Sequence, residues 1–159
     1  MTPEELQKQL ASIPIELERW MNQDAPRIFG KTAVDIYTRN FRMEGFVNNG
    51  LQPWPEVKRR QEGTMGKGAA GTRKILTGET GNLGRAFDYQ PGDGQVIIYN
   101  DARSAGGFPY GKVHQEGATD AGRGRSTVIP KRQIIGQSAE LDRLINMEIS
   151  RKLKSMPKK

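Results

Sequence analysis

The chain has 159 residues, which is the size of one ordinary domain with room for a real core. Its hydrophobic share is 35% and it carries 19 glycines, so the core is predicted to be modest and the loops long and exposed. It has no cysteine, which excludes disulfides and thiolate metal sites. A net charge of +7 suits an anionic partner (nucleic acid, membrane surface or an acidic protein face), or solubility alone. No apolar run approaches the ~20 residues needed to cross a bilayer. The opening Met1-Thr2-Pro3-Glu4-Glu5 lacks the basic and apolar regions of a signal peptide, so the expected site of synthesis and use is a cytoplasm.

Residues 3–22 are predicted to form a helix, with Leu6, Leu10, Ile13, Leu17 and Met21 in one stripe and Trp20 beside it. Thr2 fits an N-cap, with Pro3 at the first position and Glu5 three residues on. Pro14 lacks a backbone donor and is expected to kink or split this helix. A second helix is expected to start at Asp24-Ala25-Pro26, with Phe29, Ala33, Ile36, Tyr37 and Phe41 as its stripe and Gly45 as its C-cap. A helical part thus fills residues 1–44.

From residue 45 the character changes. Asn48-Asn49-Gly50 and Pro53-Trp54-Pro55 are turn and extended signals, with Trp54 expected as a packing anchor. Residues 61–73 lack an apolar period and are expected to be a mobile loop. Residues 83–100 predict a β-hairpin around Pro91-Gly92-Asp93-Gly94. Residues 101–109 and 118–127 read as further Gly-rich loops, 110–117 as a short ordered segment, and Ser126 to Gln133 as a strand ending at Pro130. The last element is an amphipathic helix over 137–154, capped by Ser138 and carrying Leu141, Leu144, Ile145, Ile149 and Leu153. The resulting fold class is α+β in a single domain: N-terminal helices, a small antiparallel β-sheet with a central hairpin, long Gly-rich loops and a C-terminal helix.

Candidate chemistry is sparse. Gly66-Lys67-Gly68-Ala69-Ala70-Gly71 matches the dinucleotide pattern of glycines, but Arg59-Arg60-Gln61-Glu62 upstream is no strand and too few residues follow for a helix. His114 is the single histidine and has Glu116 nearby. The pair suggests a general base, whereas a lone histidine more simply hydrogen-bonds locally and positions its loop. The carboxylates of the helices interleave with Lys and Arg, as on a solvated face. Basic residues crowd three places: Lys58, Arg59, Arg60, Lys67, Arg73 and Lys74; then Arg123, Arg125, Lys131 and Arg132; then the C-terminus.

Several blocks occur together in a recognisable order. Phe41 with Glu44-Gly45 is followed by Trp54-Pro55 and the basic stretch to Arg60. Next come Ile75-Leu76-Thr77-Gly78-Glu79-Thr80-Gly81-Asn82-Leu83, the hairpin, Tyr110-Gly111-Lys112-Val113-His114-Gln115-Glu116-Gly117, and Ile129-Pro130-Lys131-Arg132-Gln133-Ile134-Ile135-Gly136. Over residues 30–155 this resembles the phage virion morphogenesis family, which includes tail-completion proteins of P2-like and Mu-like phages. Two departures stand out: Gly111 where the family often has alanine, and Ile134 where it usually has an aromatic.

The resemblance implies a structural protein of the virion, made in the bacterial host cytoplasm, that completes the tail or head–tail junction. It implies no catalytic residue, cofactor or metal. The implied partners are phage tail or neck/connector proteins, with a homo-oligomeric ring in the particle. Tyr110, His114, Gln115, Arg123, Arg125, Lys131 and Arg132 are the residues expected to face a partner. Charge alone motivates an alternative, a basic nucleic-acid-binding protein, although no DNA-reading motif supports it and no aromatics interleave with the basic clusters.

Overall fold

A computed structural model describes residues 2–61 and 68–156, apart from the side chains of Leu6, Gln9, Leu10, Ala69 and Ala70. The fold is α+β, with helices at both ends of the chain and short antiparallel strand pairs between them.

Helix α1 spans Pro3–Arg19 and opens with the expected capping box: Thr2 Oγ1 accepts from the Glu5 amide at 3.2 Å, and Glu5 accepts from the Thr2 amide at 2.7 Å. Ile13, Leu17 and Met21 are half-buried, while Leu6 and Leu10 lie outside the described side chains. The helix runs through Pro14, so of the expected kink or split the split does not occur. The irregularity falls later, in a π-helical turn Trp20–Asp24 that leads directly into α2, Ala25–Met43.

Pro26 explains the position of that turn. It has no N–H for the Asn22 carbonyl, and its ring would crowd that carbonyl in a regular helix. The wider π turn relieves the crowding. The freed Asn22 oxygen instead accepts from the Gly94 amide of the distant hairpin turn at 3.3 Å. Asp24 is therefore not a separate cap; it has helical angles and no capping side-chain bond.

The end of α2 also departs from expectation. Glu44 takes the left-handed C-cap with φ 53°, and Gly45 begins strand β1, Gly45–Val47. A Cβ on Gly45 would lie 2.6 Å from the Gln52 carbonyl oxygen, so this glycine serves strand approach, not capping. The partner is β2, Leu51–Pro53, reached through Asn48-Asn49-Gly50.

A 3₁₀ turn covers Lys58–Arg60 and a single helical turn, α3, covers Ala69–Thr72. Residues 62–67 of the expected mobile loop lie outside the described residues. The described flanks of the glycine pattern do not form a strand and a full helix.

After the short α4, Asn82–Arg85, the expected hairpin forms from β3, Phe87–Pro91, and β4, Val96–Asn100. It packs along α2, where Gly30 makes room for the Tyr89 ring; a Cβ there would stand 2.2 Å from it. Residues 110–117 contain helix α5, Tyr110–Glu116. The expected loop 118–127 instead contains β5, Ala118–Ala121, which pairs with β6, Thr127–Ile129, across a register shift. These strands are short and mostly exposed, so they carry little apolar alternation to read. The strands form three separate two-stranded ladders and not one sheet.

The core gathers Ala33, Ile36, Tyr37 and Phe41 of α2 with Phe46, Trp54, Ile75, Leu83, Phe87, Ala102, Ile134 and Leu141. Phe41 stands edge-on to Trp54 at 5.1 Å and to Phe87 at 5.9 Å. Helix α6, Ala139–Ser155, is capped by Ser138 as expected: its Oγ accepts from the Leu141 amide and donates to the Val47 carbonyl. Leu141 is buried against the core with Leu144 and Ile145 beside it. Arg39–Glu140 at 3.3 Å and Glu16–Lys152 at 2.6 Å tie α6 to α2 and α1. No helix of the described residues is long and apolar enough to cross a membrane.

Candidate docking cleft around His114

The sequence blocks that looked isolated are bonded to one another by long polar side chains reaching main-chain atoms. The left-handed turn at Glu44 aims its carboxylate at Arg60, with contacts of 2.6 and 3.4 Å, and at the Ile75 amide at 2.6 Å. The Arg60 hydrogen bond leads in holding this carboxyl below its usual range, with the Ile75 amide and the Arg60 and Lys74 charges adding to it against a burial cost. Arg59 donates to the carbonyls of Arg73 and Lys74, and Lys74 to that of Arg42. Arg59, Arg60 and Lys74 of the first basic cluster thus help to fix main chain. Lys67 lies outside the described residues.

A second knot joins α5 to residues 132–136. Gln115 Oε1 accepts from the amides of Ile134 and Ile135, at 2.7 and 3.1 Å, while its amide group donates to the Ile135 carbonyl at 2.9 Å. Trp54 Nε1 donates to the Gln133 carbonyl and Tyr37 Oη to that of Gly136. Arg132, only 5% exposed, donates from Nε to the Pro55 carbonyl at 2.9 Å and from Nη2 to that of Glu56 at 3.2 Å.

Two of the expected partner-facing residues thus take part in these knots: Gln115, half-buried, and Arg132, buried, each bond main-chain groups of remote segments. Arg123 and Arg125, in the turn between β5 and β6, and Lys131 just beyond β6, are exposed. Tyr110 is half-buried and its hydroxyl accepts from Asn82 Nδ2 at 2.8 Å.

His114 is half-buried on α5, and among the described residues its ring makes no hydrogen bond: Nδ1 is buried without a partner, while the main-chain carbonyl accepts from the Arg132 amide at 2.7 Å. Burial, reinforced by the Arg132 charge, pushes the imidazole pKa below its ordinary value. Glu116, its candidate acidic partner, is exposed and lies 4.0 Å from Lys112. Among the described residues the geometry therefore offers the imidazole a cation and no carboxylate.

One face of His114 borders a cleft of about 270 Å³ shared with Arg59, Arg132, Tyr110 and the turn Leu76–Leu83. Leu76 at its rim holds φ 61°, a strained value for a bulky side chain. The other face borders an apolar hollow of about 420 Å³ between α5 and the β5–β6 pair, with Phe108 at its edge. In the sequence Arg59 reads only as part of a charge run and Glu44 shows no sign of being a clip; neither signal is local, since the partners lie 14 to 31 residues away. Among the described residues no group of three or more His, Asp or Glu stands close enough to hold a metal.

No family model, curated protein or solved structure matches the chain.

Proposed function

We propose that this chain is a structural assembly protein of a tailed bacteriophage or prophage, which completes the tail or head–tail junction by docking onto tail or neck/connector proteins without catalysing a reaction. The observation that carries this reading is the meeting of the resembling blocks. Glu44, Trp54 to Arg60, Ile75 to Leu83, Tyr110 to Gly117 and Ile129 to Gly136 interlock through the bonds of Glu44, Trp54, Gln115 and Arg132. Next to these blocks in the chain, apolar side chains suited to burial against another protein are exposed: Phe108 is 57% exposed and Val128 56%. The open edges of the two-stranded ladders add main-chain groups for pairing. In a particle the protein would form a ring, through head-to-tail contacts that close.

The test is the yield of joined head–tail particles in a complementation assay, alongside gel filtration with light scattering, alone and with a tail-tube protein. Reversing Arg123, Arg125 and Lys131 to glutamate should leave the fold intact and lower the yield, because docking depends on complementary potential. Full yield from the triple variant, with no shift in the presence of tail or neck proteins, would refute the proposal. Binding to DNA that collapses with salt would favour a nucleic-acid-binding protein instead.

A further inference from the structure

We infer that the cleft between Arg59, His114 and Arg132 is a socket for one oxyanion, and that its occupant is a carboxylate side chain of the docking partner. The second half rests on the docking function proposed above; the first does not. Arg132 is a nearly fully buried guanidinium with no ion pair among the described residues. Its nearest acidic influence, Glu56, already accepts from the Val57 amide and Arg60, and the like charge of Arg59 acts on it more strongly. A buried charge left in that state is unfavourable unless something neutralises it.

The donors around it are also unspent. Arginine has five N–H groups, and Arg132 commits only Nε and Nη2, to two carbonyls. Arg59 commits Nη2 and leaves a buried Nε without a partner among the described residues. The Tyr110 hydroxyl accepts from Asn82 and keeps its own proton to give. Guanidinium forks, a phenol and an imidazole that protonates when an anion arrives make a suitable donor set for a carboxylate. The strained Leu76 backbone at the rim fits a site whose shape is held against a local cost.

The carrier is a protein side chain and not a nucleic-acid backbone, for two reasons. The cleft is a single concavity of about 270 Å³, whereas a duplex presents phosphates in a row. Of the cations nearby in the chain, Arg60 pairs with Glu44 at 2.6 Å, Arg73 with Glu79 at 3.5 Å and Lys112 with Glu116 at 4.0 Å, so fewer of them are free to follow such a row.

The experiment titrates the folded protein with sodium acetate, following the His114 ring protons by NMR, with sodium chloride at equal ionic strength as control. Acetate should give a saturable shift and raise the His114 titration midpoint. Arg59→Gln, a half-buried position, should keep the fold and weaken acetate by about tenfold, the cost of one charged hydrogen bond. Arg132→Lys keeps the charge, loses the fork and should weaken it further. Equal shifts with chloride, or an unchanged affinity in Arg59→Gln, would overturn the socket. A tetraglutamate peptide and a short DNA duplex then distinguish the carriers: Arg59-dependent binding of the duplex without the peptide would overturn the carboxylate. Acetate binding by the wild type together with full particle yield from Arg59→Gln would overturn the docking partner as its source, while leaving the anion site itself standing.

Discussion

Two regions of this molecule are held together by different means. Around α2 the fold rests on aromatic and aliphatic packing: Tyr37, Phe41, Phe46, Trp54 and Phe87 contact one another within 5.1 to 6.2 Å. Around His114 the chain is irregular, and side chains of Glu44, Arg59, Gln115 and Arg132 bind main-chain groups of remote segments. The difference follows from what each region must satisfy. A helix bonds its own backbone and has only an apolar stripe to bury. Irregular segments brought inside carry unpaired N–H and C=O groups, and long polar side chains supply the partners. Charge that reads as a solvated surface is in this region part of the interior.

The comparison is broken most severely in the aromatic region. Phe41→Ala removes the ring between Trp54 and Phe87 and should cost about 3–5 kcal/mol, measured by urea denaturation. Gly84 backs onto the same ring, so little can collapse into the space. A cost below that of the polar-region variants would show that the aromatic cluster is not the main support. Ile145 is only half-buried, so Ile145→Ala should fall below the range for a fully buried site.

The polar region should respond at an intermediate level. Gln115→Ala strands the amides of Ile134 and Ile135 beside the fully buried Ile134 side chain, and should cost about 1–3 kcal/mol. Glu44→Gln should fall in the same range of about 1–3 kcal/mol, since it gives up the charged bonds to Arg60 and Ile75. Hydrogen exchange at Ile134 and Ile135 checks the mechanism: protection should drop there in Gln115→Ala and persist in β3 and β4. Uniform loss across the chain would mean that the two regions are not separable supports.

These two regions also differ in how far they could be read from sequence. The α2 stripe, a hairpin within 83–100, the Ser138 cap and the apolar face of α6 follow from local period and turn chemistry, and all are present, the hairpin starting only at Phe87. Gly45 misled because its local meaning as a cap was overridden by strand contact with Gln52, and at Pro14 the helix continues despite one lost bond. In the polar region the segments were visible but their partners were not. Gln115 bonds residues 19 and 20 positions away, and Arg132 bonds residues 76 and 77 away. Nothing in the residue types distinguishes Arg132, buried, from Lys131, exposed, one position earlier.

The smallest expected effect concerns His114 and sharpens the comparison within the polar region. Its imidazole is held below the ordinary 6.5, by burial first and by Arg132 second. Above that pH both folded and unfolded chains carry a neutral ring, so the group adds no pH dependence. Below it the unfolded chain takes a proton that the folded chain resists, and stability is lost as pH falls through the folded value. His114→Gln keeps hydrogen-bonding capacity but does not titrate in this range. Glu44, whose pKa is also depressed, loses its contribution at more acidic pH in both proteins and cancels from their difference. Unfolding free energies measured from pH 8 to 5 should therefore run parallel for wild type and variant above about 6.5 and diverge below it, with the variant gaining. A wild type that gains on the variant as pH falls would mean that His114 meets a carboxylate of its own chain, and that Arg132 does not dominate its surroundings.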